Sequence, residues 1–510
     1  MNHLIDQLLT PHADRDSVFL ILPDDTTVDY RRFTQRVNQV AGLLASLGVE
    51  PGERVAAQTP KVWTALALYL GTIKAGGVFV PLNTDYTLDE ARYFVENAEP
   101  QVAVCQPDDA EGFTALLKSL GSSRVDRRVL TLNSAGEGSL PDAADKCPTC
   151  YESVPRSPQD VAAILYTSGT TGRSKGAMLT HDNLWSNAKV LKDCWQFTQQ
   201  DVLLHALPIF HTHGLFVATN VLVLSGGSMI FMPRFRVDEA IQQLPKSTSM
   251  MGVPTFYTRL LADSRFGQDL VRHMRIFVSG SAPLLAETHR TFRQRTGHQI
   301  VERYGLTETG MNTSNPYQGE CRAGMVGLAL PGIEVRIAAV DSGEILSPDN
   351  IGSIQVRGPN VFSGYWRMPE KTSEDFTKDG FFVTGDLGRL SEDLYLTIVG
   401  RNKDLIISGG YNVYPKEVEL LLDCLPGVDE SAVIGVPHPD FGEGVIAVLT
   451  GAAPPDEETV IAAMSEHLAR FKQPKRIFYR SELPRNSMGK VQKNRLRKWY
   501  KDAFLTEIAE

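Results

Sequence analysis

Between about residue 50 and residue 310 the chain repeats one pattern, a short β-branched run followed by a longer helix-like stretch. The runs fall at Arg54–Gln58, Val78–Leu82, Ala162–Tyr166, Val202–Ala206, Met229–Met232 and Ile276–Val278. Between them lie stretches such as Trp63–Lys74 and Asn183–Lys192, which read as amphipathic helices. Short apolar runs without polar alternation are typical of strands buried on both faces, and parallel neighbours need a crossover that is usually a helix. The pattern therefore predicts an α/β domain of mostly parallel sheets with helices between them. Strand order is not encoded in it.

The pattern changes twice. From about 322 to 400 the segments GMVGLALPGIEVRIA, GSIQVRGP, FFVTGDLGRL and LYLTIVGR are short, strand-like and punctuated by glycine. They predict a small β-rich subdomain, such as a distorted barrel. After Gly400 comes a polar stretch, Arg401–Asp404. It is followed by a helix pattern at Pro415–Cys424, strands at Ala432–Val436 and Val445–Leu449, a helix near Glu457–Arg470 and a strand at Arg476–Tyr479. The expected organisation is a large domain over 1–402, containing the β-rich part, and a small α+β domain over 403–510, long enough to fold on its own.

The sharpest local signal is Tyr166-Thr-Ser-Gly-Thr-Thr-Gly-Arg-Ser-Lys-Gly176, directly after a buried-strand pattern. Its glycines let backbone N–H groups approach oxygens closely, its hydroxyls donate, and two cations follow. That is what a polyphosphate needs. It is neither a Walker loop nor a dinucleotide fingerprint, because Ser174 precedes Lys175 and Gly176 follows it.

This loop resembles the phosphate signature of the adenylate-forming enzymes, the acyl-CoA synthetase and luciferase superfamily. The remaining motifs appear in order. They are Lys74-Ala-Gly-Gly-Val-Phe-Val-Pro-Leu-Asn83, Tyr304-Gly-Leu-Thr-Glu-Thr309, Thr384-Gly-Asp386, Gly400-Arg-Asn-Lys-Asp-Leu-Ile-Ile-Ser-Gly-Gly410, Asn412-Val-Tyr-Pro-Lys-Glu-Val-Glu419 and Pro484-Arg-Asn-Ser-Met-Gly-Lys490. The resemblance implies a two-step reaction: a carboxylate attacks the α-phosphate of ATP and releases pyrophosphate, then the thiol of coenzyme A displaces AMP. Bringing anion to anion requires charge neutralisation and in-line positioning. The resemblance assigns Mg2+ to Glu308 and Thr167, since magnesium takes few protein oxygens and keeps waters. It assigns ATP to Thr167, Ser168, Gly169, Thr170, Thr171, Gly172, Lys175, Ser281, Ala282, Pro283, Tyr304, Gly305, Thr307, Asp386 and Arg401. Lys490, Thr167, Glu308 and His211 would be catalytic. Ser408, Gly409 and Gly410 would meet the CoA arm, and Lys403 would be the hinge of a mobile lid. Lys490 also resembles acylation targets of this superfamily, which implies a lysine acetyltransferase as a partner.

The acid pocket is implied around His211-Thr-His213, Gly252-Val-Pro-Thr255, Val278–Ser281 and Tyr304. Arg259, Ser281 and Arg303 are polar features on this path, and two arginines with a hydroxyl are what a second substrate carboxylate would need. HTHGLF, MGVPTFYTRLL, SGSAPLLAETHR, ERYGLTETGMNTSNP, GPNVFSGYWRMPEKT and GVPHPDFGEGV resemble the malonyl-CoA synthetase family. On that pattern Arg259, Ser281 and Arg303 hold the distal carboxylate, His213 lines the pocket, and Thr212 and Met311 limit the α-substituent of malonate or methylmalonate. Leu306, where these relatives often carry Met, leaves the reaction class intact. The alternative is a synthetase for another short-chain or aryl acid. A carrier-dependent adenylation domain, a luciferase-like oxygenase and a catalytically idle scaffold fit less well.

The formal net charge is -9, and no run of 18 or more apolar residues occurs, so neither nucleic acid nor a membrane is an expected partner. From Arg470 to Lys501, however, Lys or Arg stands at 470, 472, 475, 476, 480, 485, 490, 493, 495, 497, 498 and 501 against one acid, Glu482. This stretch predicts a positive rim for ATP or CoA phosphates. Six cysteines in 510 residues are too few for a disulfide scaffold, and Cys147-x-x-Cys150 lies in a polar loop without a metal-site partner pair. The N-terminal segment lacks a signal-peptide pattern and the C-terminal segment an address, so the expected compartment is the cytoplasm.

Overall fold

The computed structural model describes residues 1–120, 127–167, 174–486 and 489–504. The chain forms two compact units. The first comprises Met1–Glu334 with Val356–Phe382, and the second Val335–Gln355 with Val383–Glu510. The second unit thus gathers the span 403–510 together with strands that precede it.

The first unit is built on two sheets. The nine-stranded sheet runs in the order Leu328–Ala329, Gly310–Ser314, Ile300–Leu306, Ile276–Ser279, Ser249–Gly252, Val202–His205, Ser228–Phe231, Val18–Ile21, Thr27–Asp29. Its centre is parallel and its ends are antiparallel hairpins. The six-stranded sheet runs Arg128–Thr131, Val102–Cys105, Arg54–Ala57, Val78–Pro81, Val161–Thr167, Lys175–Thr180, parallel except for the last pair. Every strand run read from the sequence over residues 50–310 is present, with its middle buried.

The helix Trp63–Lys74 forms as expected but is not amphipathic: every residue from Thr64 to Lys74 is buried. It packs on the helix Tyr30–Ser46 on one side, so it has no solvent face to keep polar. Lys74 is tolerated there because its ammonium donates to Asn38 Oδ1 at 2.5 Å.

A four-stranded sheet, most of it in the second unit, runs in the order Glu334–Ala338, Gly352–Arg357, Phe382–Leu390, Leu396–Arg401. Among the described residues it is a linear four-strand path and not the expected barrel, and Leu328–Ala329 pairs into the nine-stranded sheet instead. The same unit carries a mixed sheet of Tyr411–Val413, Ile406–Ser408, Gly442–Thr450 and Glu430–His438, with Arg476–Arg480 parallel to Gly442–Thr450. Its two apolar clusters centre on Val433, Val445 and Leu449 on one face and Ile434, Ile446 and Val448 on the other, the alternation of a sheet covered on both sides.

The basic stretch from 470 to 501 is less free than its sequence suggests. Lys472 pairs with Glu417, Arg485 with Glu430, Lys493 with Glu419 and Arg497 with Asp404, so part of the expected rim is neutralised within the unit. Among the described residues no helix is long and apolar enough to cross a membrane.

Candidate active site

The strand Ile300–Leu306 ends the run of parallel strands and carries Arg303 inward. Arg303 is 4 % exposed, and its Nε and Nη2 have no hydrogen-bond partner among the described residues. Burial pulls its pKa down to about 9, so it is still a cation at neutral pH. A Cβ on Gly280 would lie 2.4 Å from Arg303 Cζ, which means the guanidinium occupies the space that a side chain at 280 would need.

Two further groups converge on this cation. His213 is buried, with its Nδ1 3.2 Å from Ser281 Oγ and its Nε2 unpartnered. Burial, and then the Arg303 charge, hold His213 neutral. Ser281 reaches it from a left-handed backbone conformation, φ 72°, unusual for a residue other than glycine and a mark of a constrained site. Ser279 Oγ and Thr212 Oγ1 are also buried and unpartnered. Arg303, His213, Ser279 and Thr212 thus each carry a buried polar atom without a partner among the described residues, and Ser281 is bonded to His213.

Thr212 lies at the start of a π-helical turn, His213–Thr219, and lines a small cavity with Asn183, Asn187, Phe216, Gly310 and Asn360. Asn187 accepts from the Met311 amide at 3.0 Å and donates to the Met311 carbonyl at 2.9 Å, fixing Met311 beside the same cavity. Arg259 is placed differently. It is exposed on the helix Pro254–Ala262, while Arg303 is buried.

A second cluster forms around Glu308. Thr167 ends the strand Val161–Thr167, and its hydroxyl donates to Glu308 Oε1 at 3.4 Å. The Tyr365 hydroxyl donates to the same oxygen at 3.3 Å. Burial, and then the Glu308 and Asp375 carboxylates, keep the Tyr365 phenol protonated and able to donate. Lys175, cross-strand partner of Thr167, lies 4.0 Å over the Tyr365 ring and 3.3 Å from Asp375 Oδ2. Ser168, Gly169, Thr170, Thr171 and Gly172 lie outside the described residues.

Tyr365 and Asp375 were missed by the sequence reading. Tyr365 is placed by backbone bonds from Met178 to Gly364 and from Trp366 to Gly176, which lay its segment along the strand Lys175–Thr180. Its only sequence signal is membership of the Ser-Gly-Tyr-Trp segment, which gives no hint of the partner. Among the described residues no group of three or more His, Cys, Asp or Glu gathers as a metal cage. One carboxylate with a neighbouring hydroxyl is nevertheless a hard-oxygen donor set that suits a magnesium ion retaining its waters.

Tyr304 is 6 % exposed beside an irregularity in the pairing of Ile300–Leu306 with Gly310–Ser314. Gly305 follows it in the strand and Thr307 on the turn that holds Glu308, and Ala282 and Pro283 follow Ser281. His211 sits against Phe210, ring centroids 4.5 Å apart, just before Thr212.

In the second unit, Asp386 and Arg401 are cross-strand neighbours, and Arg401 Nε lies 2.7 Å from Asp386 Oδ1. Asp386 is buried, and its amide donates to Thr384 Oγ1. Lys403 lies in the short 3-10 turn Asn402–Asp404. Ser408 is buried at a hairpin end, and the Gly409 amide donates to the Phe441 carbonyl at 2.8 Å. Lys490 is exposed on a loop cradled by Asn486, whose Oδ1 accepts from the Lys490 amide at 2.9 Å.

A family model described as AMP-binding enzyme matches residues 10–366, and one described as AMP-binding enzyme C-terminal domain matches 417–490. The chain belongs to the AMP-binding enzyme family. Family relatives include a malonate–CoA ligase from Arabidopsis thaliana, 33% identical over 94% of this chain and 82% of the relative. A feruloyl-CoA synthase from Amycolatopsis is 35% identical over 96% of both chains. Among solved structures, ATP-bound MatB from Rhodopseudomonas palustris is 52% identical, covers 99% of both chains and superposes with a TM-score of 0.96. The expected fold class, α/β with mostly parallel sheets and a smaller α+β part, is that of this family member.

Proposed function

We propose that the protein is an AMP-forming acid–CoA ligase that joins malonate, and also methylmalonate, to coenzyme A. Malonate and ATP give malonyl-adenylate and pyrophosphate, and CoA then displaces AMP to give malonyl-CoA. The observation that carries the acid assignment is the buried Arg303 guanidinium with two unpartnered nitrogens. An enclosed, unpaired cation is costly to keep, and a carboxylate on the ligand pays that cost with bidentate, charge-assisted hydrogen bonds. The malonate–CoA ligase relatives support the same acid.

The proposed roles follow from the groups present. Arg303, Ser281 and His213 hold the distal carboxylate, Arg259 adds a cation at the pocket's outer side, and Thr212 and Met311 limit the α-substituent. With one carboxylate anchored, the other is aimed at the α-phosphate. Tyr304, Gly305, Thr307, Ser281, Ala282 and Pro283 take the adenosine side, and Asp386 and Arg401 the ribose side. Thr167, Lys175 and the loop 168–172 take the phosphates. Glu308, oriented by Thr167 and Tyr365, and Thr167 itself are the residues that would hold Mg2+; when bound, the ion neutralises phosphate charge. His211 is assigned a catalytic place beside Thr212. Lys490 supplies the cation for the adenylation transition state, Ser408, Gly409 and Gly410 the path for the CoA arm, and Lys403 the hinge of a lid spanning 403–510. Acetylation of Lys490 by a lysine acetyltransferase would remove its charge and silence adenylation. The reaction is assigned to the cytoplasm.

CoA-thioester formation with malonate, methylmalonate, succinate, oxalate and acetate side by side tests the reading. Malonate or methylmalonate is expected to lead, and Arg303→Met is expected to remove that preference while folding at least as stably. A wild-type enzyme that prefers acetate or an aryl acid would overturn the malonate assignment.

A further inference from the structure

A buried lysine in the first unit has no place in the roles above. Lys61 follows the strand Arg54–Ala57 and precedes the helix Trp63–Lys74. The residue is partly exposed, yet its ammonium is enclosed. Nζ lies 2.9 Å from His205 Nδ1, 2.8 Å from the His205 carbonyl oxygen and 4.7 Å from the centre of the Phe231 ring. Burial alone draws its pKa well below the usual lysine value, so enclosing this charge costs stability. An apolar side chain of similar length would fill the space without that cost.

His205 ends the strand Val202–His205 and faces Phe231 across the sheet. The Gly214 carbonyl oxygen, 2.9 Å from Nε2, can only accept, so the imidazole proton sits on Nε2 and Nδ1 accepts from Lys61 Nζ. Burial and then Lys61 keep the ring neutral, as that tautomer requires. The Gly214 oxygen also accepts from the Thr219 hydroxyl at 2.9 Å. Gly214 is the second residue of the π-helical turn His213–Thr219, directly after Thr212 and His213. A Cβ there would fall 2.0 Å from the Pro208 carbonyl oxygen, so the turn is pressed against the preceding loop. A π turn is an uncommon conformation with a ready α-helical alternative, and shifting by one residue would rotate Thr212 and His213 out of the pocket.

We propose that Lys61 and His205 are positioning residues for acid selection. Their hydrogen-bonded chain, from Nζ through the imidazole to the Gly214 carbonyl, locks the register of the π turn that presents Thr212 and His213. The inference rests on the assignment of these two side chains to the acid pocket. It predicts an effect on which acid is used, with ATP handling unchanged, because the chain runs from Lys61 through His205 to Gly214 and the Glu308 cluster is built on Thr167 and Tyr365.

The test uses the full chain with Lys61→Met, His205→Leu and His205→Gln, assayed by ATP–pyrophosphate exchange over the acid panel, with KM for ATP and the urea midpoint measured beside it. Lys61→Met is expected to raise KM for malonate roughly tenfold, the effect of one lost net hydrogen bond. It should flatten the preference over acetate while KM for ATP holds and the midpoint holds or rises. His205→Gln is expected to recover most of the preference that His205→Leu loses, since a carboxamide can both accept from Lys61 and donate to Gly214. If His205→Leu fails to fold, Lys61→Met decides. Should the wild type prefer a different acid, the malonate reading falls, and the positioning role is judged on the preferred acid by the same ratios. Unchanged preference in Lys61→Met overturns the proposal. So does an equal loss for acid and ATP with a lowered midpoint, or a His205→Gln variant no better than His205→Leu.

Discussion

Gly280 and Arg303 share one space: the position a Cβ would take on Gly280 is 2.4 Å from Arg303 Cζ and 2.6 Å from its Nη1. Glycine at 280 is therefore a packing requirement of the guanidinium, on a strand end whose neighbours Ser279 and Ser281 also face the pocket. Gly280→Ala should displace the head group of Arg303 before it disturbs the strand, because the side chain's far end yields more readily than backbone. We expect KM for the acid to rise at least about tenfold and stability to fall by about 1–3 kcal/mol, the cost of an extra methyl in a packed interior. Acid and ATP saturation curves with a denaturation midpoint check this; an unchanged acid KM would show that the guanidinium has room to move.

Arg303 has a neighbour on the opposite face of its strand that should make the fold sensitive to pH. Glu302 is 5 % exposed, and burial pushes its carboxyl up to about 8, opposed only by a hydrogen bond from the Gly324 amide. The Cys321 thiol, itself pushed up to about 11 by burial and then by Glu302, stays neutral beside it. A carboxyl with a folded pKa above its unfolded value binds its proton more tightly when folded. Its stabilising contribution is present below about pH 4.5 and is lost as pH rises toward 8. Wild-type stability should therefore drop by roughly 2 kcal/mol between pH 5 and pH 7 through this group. Glu302→Gln, which keeps the shape without the charge, should remove that slope. Urea midpoints of both proteins at several pH values decide it, and parallel curves would assign the pH dependence elsewhere.

The hydroxyl of Tyr365 should matter through Glu308. It shares Glu308 Oε1 with Thr167 and keeps the carboxylate aimed, while its ring supports the Lys175 ammonium. Tyr365→Phe retains the ring and removes only the donor. We expect the magnesium concentration for half-maximal adenylation to rise about 10-fold or more, the usual effect of losing a group that orients a metal ligand, with little change in acid KM. Magnesium titrations at saturating ATP measure it; an unaltered titration would leave Thr167 as the only orienting donor that counts.

The contrast between Arg303 and Tyr365 explains what could be read from the chain alone. Strands of the first unit were legible because burial on both faces writes an unbroken apolar run into the sequence, as at Val202–His205 and Ile276–Ser279. Arg303 was legible because it stands directly before Tyr304, on the acid path that the family resemblance implies. Tyr365 and Asp375 were not, since a tyrosine in a Gly-rich loop and an aspartate at a helix end have many ordinary uses, and their value comes from partners at 308 and 175, far away in sequence. The same holds for Lys61 and His205, which meet across 144 positions. The helix Trp63–Lys74 was located correctly and its faces misread, because its polar residues Thr64, Thr72 and Lys74 are buried, with Thr72 and Lys74 bonded inside the protein.

Lys490 should separate the two half-reactions. Its loop is held by main-chain and neighbouring groups: the Asn486 amide donates to the Lys490 carbonyl at 3.0 Å, the Gln492 amide donates to the Pro484 carbonyl at 2.7 Å, and Arg485 pairs with Glu430. These bonds use atoms that Lys490→Ala leaves in place, and Lys490 is exposed, so the variant should fold with an unchanged midpoint. Its loss should fall on the step in which carboxylate and α-phosphate charges meet. We expect ATP–pyrophosphate exchange to drop by about 10²–10³-fold, the scale set by removal of one charge-stabilising donor from a transition state. Conversion of supplied malonyl-adenylate and CoA to malonyl-CoA involves no such encounter and should stay within about threefold of wild type, as uniform folding predicts when only one step loses its cation. Enzyme acetylated at Lys490 should behave like the alanine variant, because acetylation removes the charge and leaves the loop bonds intact. Equal losses in both steps would mean that position 490 serves the architecture of the second unit, and the catalytic assignment would be withdrawn.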